Sequence, residues 1–342
     1  MNILVTGGFG FIGSHLVEQL ARQHPNDRIH VVDNLSSSPL RLDRLLHEIG
    51  PLSNLTYEIG SIQDQAAALS SVTWSQIYHL ASIVGPAGVL PFAGRIVKSI
   101  VEDTYLLIDL ALRDRARLLD VSTSEVYGGG QEGYCHESLP KIIPAKTSAR
   151  TEYAIGKLAA ETALVNLAKV ADLDAVIIRP FNVCGPRQSG QGGFVLPRFI
   201  GQAMRGEPLT IFGDGNQIRA FTHVQDVASG LRAAMSSGRS GAVYNIGHPG
   251  NKITIGQLAD SVIKTVGSSS TKVHVDPKSL YGDLYEEAND KYPDSSRAMT
   301  ELGWNPGFGV EETIRDTHQY LSGVEESQRR QLTAEERGDR GA

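Results

Sequence analysis

Residues 1–33 read MNILVTGGFGFIGSHLVEQLARQHPNDRIHVVD, and the remainder of the chain is best read outward from them. Ile3, Leu4 and Val5 are a short apolar run of the kind found in a buried parallel strand. Gly7, Gly10 and Gly13 follow at three-residue spacing. Leu16, Val17 and Leu20 then recur at helical spacing, so a helix opens inside the glycine run. Ile29, Val31 and Val32 predict a second strand, closed by Asp33. Strand, glycine turn, helix, strand and acid in that order make one βαβ unit of dinucleotide-binding type. The glycines let backbone approach a pyrophosphate, whose charge sits at the helix N-terminus. Asp33 lies 20 residues after Gly13, the separation expected of a carboxylate that bonds an adenosine ribose. A carboxylate there repels a 2′-phosphate, which favours NAD over NADP.

The same alternation continues through the first half. Strands are predicted at 55–59, 77–80, 118–121 and 175–178, with long helices at about 92–112 and 148–170. Polar motifs fall at the strand ends: Gly60-Ser61-Ile62, Ala81-Ser82, Ser122-Thr123-Ser124-Glu125 and Arg179-Pro180-Phe181-Asn182. This pattern predicts an α/β fold with a doubly wound parallel sheet, whose ligands lie at the carboxyl ends of the strands. After about Asn182 the pattern loosens into glycine- and proline-rich loops, with helices at 194–205, 225–236, 255–266 and 310–321. The expected division is a dinucleotide-binding domain over 1–182, with later segments contributing to it. A smaller α/β domain over 183–324 would shape a substrate pocket. The stretch 325–342 is rich in Glu, Arg and Gln and reads as a disordered tail.

Composition sets the outer limits. A chain of 342 residues can bury a large core. With 32 basic and 38 acidic residues the net charge is −6, which does not suit nucleic acid or an anionic membrane surface. The two cysteines, Cys135 and Cys184, provide neither a disulfide framework nor metal spacing, and the ten histidines show no ligand spacing, so no metal is expected. No apolar run approaches the roughly 20 residues of a membrane span. The first strand begins without a basic segment and apolar signal core before it, and a cytoplasmic location is expected.

Tyr153 and Lys157 are four residues apart on the second long helix and therefore share a face. A phenol ionises near pH 10 when unperturbed. A nearby ammonium and a nicotinamide cation both favour the phenolate, which can then act as general base toward a sugar hydroxyl.

With these residues in view the chain resembles the extended short-chain dehydrogenases/reductases that act as nucleotide-sugar epimerases, dehydratases and decarboxylases. The resemblance rests on TGGFGFIG (6–13), VVDN (31–34), HLAS (79–82), STSEVYG (122–128), YAIGK (153–157), RPFNVCGPR (179–187), LTIFGDGNQIRAFTHVQD (209–226) and ELGWNP (301–306). It implies a Rossmann domain with a smaller substrate domain, and a reaction that begins with hydride transfer from a sugar C4 to a tightly held NAD. The cofactor contacts it implies are Gly7, Phe9, Gly10, Phe11, Ile12, Gly13, Asp33, Asn34, Ser61, Ile62, Leu80, Ala81, Tyr153 and Lys157. Ser61 stands where the family usually has Asp against the adenine. Thr123 matches the hydroxyl residue that steers the C4 oxygen beside Tyr153.

Ser124 and Glu125 sit where the subfamilies differ. Plain 4-epimerases carry small residues there, and glucose 4,6-dehydratases usually have Asp at the position of Ser124. The Thr-Ser-Glu order matches UDP-glucuronate decarboxylases and GDP-mannose dehydratases. In the decarboxylase pattern a tyrosine precedes a catalytic arginine by six residues. Tyr285 matches the tyrosine, but the arginine position falls on Lys291, which keeps the charge and loses the bidentate fork. Arg150, Asn182, Arg187, Arg219 and Tyr285 are the implied substrate contacts, and Thr123, Ser124, Glu125, Tyr153, Lys157 and Lys291 the implied catalytic set. The expected activity is UDP-glucuronate decarboxylation, with a nucleotide-hexose dehydratase and then a UDP-sugar 4-epimerase as alternatives. A non-catalytic NAD-binding regulator is the alternative of another class. The family also implies a homodimer formed through the two long helices.

Overall fold

The computed structural model describes residues 1–38, 40–130, 133–190, 193–285 and 290–338, with side chains described as far as 326. The first half runs β1 (Asn2–Thr6), α1 (Phe11–Gln23), β2 (Arg28–Asp33), α2 (Leu42–Ile49), β3 (Leu55–Ile59), α3 (Ala66–Ser70), β4 (Gln76–His79), α4 (Ile96–Asp114), β5 (Arg117–Val121), α5 (Ala149–Val170) and β6 (Ala175–Pro180). The second half runs β7 (Val183–Cys184), α6 (Val195–Met204), β8 (Leu209–Phe212), β9 (Ile218–Ala220), β10 (Thr222–His223), α7 (Val224–Ser237), β11 (Val243–Ile246), β12 (Lys252–Thr254), α8 (Ile255–Val266), β13 (Lys272–Val275), α9 (Lys278–Tyr281), α10 (Ser296–Leu302) and α11 (Val310–Gly338). The last helix is longer than the 310–321 read from periodicity and carries helical backbone into the polar stretch after 325.

Seven parallel strands form the central sheet in the order β3-β2-β1-β4-β5-β6-β11. Chain direction across the sheet reverses between β1 and β4, and open α/β sheets bind ligands in the crevice above that switch point. The apolar runs noted above are the buried strands: Ile3, Leu4 and Val5 are at most 1% exposed. Side chains alternate between two layers. Ile3 and Val5 face Leu16, Leu20, Leu231 and Met235 on the side of α1 and α7. Leu4, Ile77 and Leu118 face Leu107, Leu110 and Leu164 on the side of α4 and α5. The seventh strand comes from the second half, so β11, α7 and α10 belong physically to the first layer system. A separate core around Phe199, Ile211, Leu258, Val262 and Ile314 holds the smaller unit beyond the sheet's carboxyl edge.

Candidate active site

The glycine turn sits at the switch point. Gly7 has φ +70°, and a Cβ on it would stand 2.6 Å from the backbone nitrogen of Ala81, just past β4. A Cβ on Gly13 would stand 2.1 Å from the Gly7 carbonyl oxygen. Turn, helix start and neighbouring strand end therefore meet backbone to backbone, with no room for a side chain. Gly10 supplies no side-chain cap to α1, so the first-turn amides around Phe11, Ile12 and Gly13 suit an anion. Asp33 closes the cradle: it accepts hydrogen bonds from the amides of Phe9 at 2.9 Å and Leu35 at 2.7 Å. Burial pushes its carboxyl pKa up, and these backbone donors oppose the shift. Asn34 turns back on Ser36, and Leu80 donates to Thr6. Ile62 is buried, while the Ser61 hydroxyl donates to Asp64 at 2.6 Å, which satisfies it locally in place of an adenine contact. A cradle that any Cβ would fill, with a carboxylate at the end of the second strand, fits a dinucleotide.

The reactive end is built on β5. Thr123 caps a short 3-10 helix, Ser124–Tyr127, by accepting from the Glu125 amide at 3.1 Å. Its hydroxyl is also hydrogen-bonded to the Tyr153 phenol. Lys157, one turn later on α5, is 1% exposed and donates to the Val121 carbonyl at 2.8 Å, which ties α5 to the end of β5. Burial raises the Tyr153 pKa; the Thr123 bond lowers it, and the carboxylates of Glu125 and Asp120 raise it further. The phenol is therefore protonated in the chain alone and needs added positive charge to become a base. Ser122 bonds Glu161, Glu161 pairs with Arg179, and Arg179 donates to the Tyr127 hydroxyl at 2.9 Å. Tyr127 in turn donates to Asn245 at 2.9 Å, anchoring the 3-10 helix to β11.

An ion cluster stands beside this pair. Glu125 accepts from Arg150 Nε at 2.6 Å on one carboxylate oxygen and from Lys291 Nζ on the other. Lys291 arrives from the second half of the chain: its amide donates to the Ile218 carbonyl at 3.1 Å, and Asn182 Nδ2 reaches its carbonyl at 3.5 Å. Arg219 lies opposite it in the same bridge. Burial pushes the Glu125 carboxyl up, but Lys291 and Arg150 outweigh it and hold the group well below the usual carboxylate range. Burial brings the Lys291 ammonium down to about 8; Glu125 opposes that, and Arg150 and Arg219 add to it. One anion among three cations explains both directions.

A cleft opens beside the cluster. Asn182, Arg219 and Tyr285 line it. Arg187 does not line it. It pairs with Glu18 at 2.7 Å and reaches the Ser14 carbonyl at 3.4 Å, both on α1. Two lining residues, Arg198 and Phe212, escaped the sequence reading: the Arg198 guanidinium lies 3.9 Å above the Phe212 ring, which Tyr285 meets edge-on at 6.0 Å. The signal was the aromatic before the GDG turn at 213–215; Arg198 carried none. Among the described residues no group of three or more His, Cys, Asp or Glu could hold a metal ion, and no helix is long and apolar enough to cross a membrane.

A parallel sheet with a glycine cradle at its switch point and a tyrosine–lysine pair at its edge defines a dinucleotide-dependent enzyme. Comparison with known proteins agrees. Residues 3–247 match the model of the NAD dependent epimerase/dehydratase family. A UDP-N-acetyl-alpha-D-glucosaminuronate decarboxylase of Bacillus cytotoxicus is 31% identical over 325 residues, covering 94% of this chain and 98% of the relative. UDP-glucuronic acid decarboxylase 1 of Arabidopsis thaliana is 34% identical over 315 residues, covering 92% of this chain and 68% of the relative. Among solved structures, UDP-glucuronic acid 4-epimerase from Bacillus cereus in complex with UDP-glucuronic acid and NAD superposes with a TM-score of 0.81 at 27% identity, covering 95% of this chain and all of that one. The chain belongs to the NAD dependent epimerase/dehydratase family and is an NAD-dependent nucleotide-sugar enzyme.

Proposed function

We propose that the chain is an NAD-dependent decarboxylase of a UDP-activated uronic acid, with UDP-glucuronate the first choice of substrate. The observation that carries this reading is the ion cluster: Glu125 held between Arg150 and Lys291 beside the Thr123–Tyr153 pair. An epimerase needs no acid or base beyond the tyrosine, and an apolar sugar pocket has no use for three clustered cations. A carboxylate-bearing sugar uses both. The decarboxylase names of two relatives support the same choice.

In this reading Gly7, Gly10, Gly13 and Asp33 would hold NAD, which would supply a reversible hydride acceptor at C4. Thr123 orients the C4 hydroxyl, and Tyr153, with Lys157 beside it, takes its proton. The C4 ketone makes the sugar a β-keto acid. The C5–C6 bond breaks, carbon dioxide leaves, and the electron pair becomes the C4 enolate. The Lys291 ammonium stabilises that charge and gives its proton to C5, with Ser124 and Glu125 fixing the geometry. Tyr153 then returns a proton to O4 as the ketone is reduced. Asn182, Arg219 and Tyr285 contact the nucleotide sugar.

The test is the mass of the product formed from UDP-glucuronate, UDP-N-acetylglucosaminuronate, UDP-glucose, UDP-N-acetylglucosamine and GDP-mannose. Loss of one carbon dioxide from a uronic acid is expected. Loss of water would favour a dehydratase, unchanged mass with inverted C4 an epimerase, and NAD binding without turnover a regulator. The proposal extends to assembly and place. Tyr105 and Leu112 stand exposed seven residues apart on α4, beside α5, and support a dimer through these helices. Two free buried cysteines suit the cytoplasm.

A further inference from the structure

The two sides of the ion cluster come from distant parts of the chain. Glu125 is carried by the 3-10 helix Ser124–Tyr127, and Lys291, 166 residues further on, by the strap 290–294. One buried carboxamide touches the supports of both. Asn245 is fully buried in β11, between the equally buried Tyr244 and Ile246. Its Oδ1 accepts from the Tyr127 hydroxyl at 2.9 Å, two residues after Glu125. Its Nδ2 donates to the Cys135 carbonyl at 2.9 Å and to the Asp294 carbonyl at 3.2 Å. Cys135 is laddered to the strap: its amide donates to the Tyr292 carbonyl at 2.9 Å, and the Asp294 amide donates to its carbonyl at 2.8 Å. Asn245 Nδ2 therefore grips the strap and its ladder partner together, three residues past Lys291.

The same chain of bonds runs back to the tyrosine helix. The parallel register sets Asn245 beside Arg179 of β6. Arg179 donates through Nη1 to the Tyr127 hydroxyl and through Nε to Glu161, each at 2.9 Å. Glu161 follows Tyr153 and Lys157 at four-residue steps on α5, so all three share a face. Both N–H groups and the oxygen of the Asn245 carboxamide are engaged. A buried polar network with every member satisfied fixes one arrangement, whereas an apolar side chain at 245 would pack without choosing one. Asn245 does not line the cleft, so it acts through the groups it holds.

We propose that Asn245 is a positioning residue for the step that loses carbon dioxide: its carboxamide sets the Lys291 strap against the 3-10 helix of Glu125, and so places the ammonium where C5 takes its proton. This rests on the decarboxylase reading above, in which Lys291 is the proton donor. Removing the carboxamide leaves Glu161 joined to Arg179, and the Thr123–Tyr153 and Lys157–Val121 bonds do not pass through it. Hydride transfer is therefore spared while the later step is slowed, a split that general loosening of the fold does not produce.

The experiment mixes NAD-loaded protein with UDP-glucuronate and times nicotinamide reduction and carbon dioxide release separately. The proteins are wild type, Asn245→Leu, Tyr127→Phe and Lys291→Met, each held below its melting temperature. Asn245→Leu should reduce nicotinamide within about threefold of the wild-type rate and release carbon dioxide roughly tenfold to a hundredfold more slowly, the cost of misplacing a reacting group by about an ångström. Lys291→Met should show the same split more strongly. Should Asn245→Leu fail to fold, Tyr127→Phe, which loses only the hydroxyl that meets Asn245, decides by the same split. Both steps slowed alike, or neither slowed, overturns the inference, and a split in Lys291→Met alone overturns it while keeping the decarboxylase reading. A wild type that reduces nicotinamide and releases no carbon dioxide overturns that reading, and the inference with it.

Discussion

Lys291 concentrates the chemistry at the scale of single residues. It is buried, it meets Glu125, and it holds its proton only to about pH 8. An unfolded lysine keeps its proton to about pH 10.4. Between those values the unfolded chain binds the proton and the folded chain does not, so this group's contribution to stability rises with pH across that window and is least favourable below it. If its ammonium serves the second step, the basic limb of kcat/KM lies near pH 8. Lys291→Arg keeps the charge but does not give up a proton in this range, so it should abolish that limb and slow protonation of C5. A limb unchanged in the variant would remove Lys291 from the reaction. Several site residues were legible in sequence because their partners are local: Thr123 and Glu125 share a turn, and Tyr153 and Lys157 share a helix face. Lys291 was found only through its distance from Tyr285. The partners of Arg187, Glu18 and the Ser14 carbonyl, lie more than 160 residues away in the chain and could not be read locally.

At the scale of elements, the turn between β1 and α1 carries the least tolerance. The contact of Gly13 with the Gly7 carbonyl leaves no space for a methyl group, and neither partner is a side chain that can move aside. Gly13→Ala should therefore lower stability by about 2–4 kcal/mol. Because the same turn forms the cofactor cradle, NAD affinity should fall by more than tenfold. Calorimetry checks both; an alanine variant that binds NAD normally would show that the turn does not touch the cofactor. The strands of the first half were legible because each is an apolar run closed by a polar motif. β11 was missed because it is four residues long, has Asn245 in its middle, and follows a helix in the loop-rich half. Its place in the sheet is fixed by pairing with β6, which local sequence does not encode.

The whole molecule works because the second half returns to the first. β11, α7 and α10 complete the sheet layers, while the β9 bridge delivers Lys291 and Arg219 to the end of β5. The boundary near 182 read from composition marks where the chain leaves the sheet for the substrate unit, but not where it last contributes to the sheet. The proposed dimer would use the outer face of α4. Tyr105 is 50% exposed there, and a large exposed aromatic suits a self-complementary interface. Sedimentation should report two chains per particle, and Tyr105→Arg should shift the distribution to one; a wild-type protein that sediments as a single chain at micromolar concentration contradicts the dimer.

The proposed reaction begins with the Tyr153 phenol taking the C4 proton, and rapid mixing of the NAD-loaded protein with UDP-glucuronate tests this most directly. Wild type should show transient reduced nicotinamide and release of carbon dioxide. Tyr153→Phe should show neither, while keeping its bound NAD. Reduced nicotinamide forming in the phenylalanine variant at the wild-type rate would contradict it.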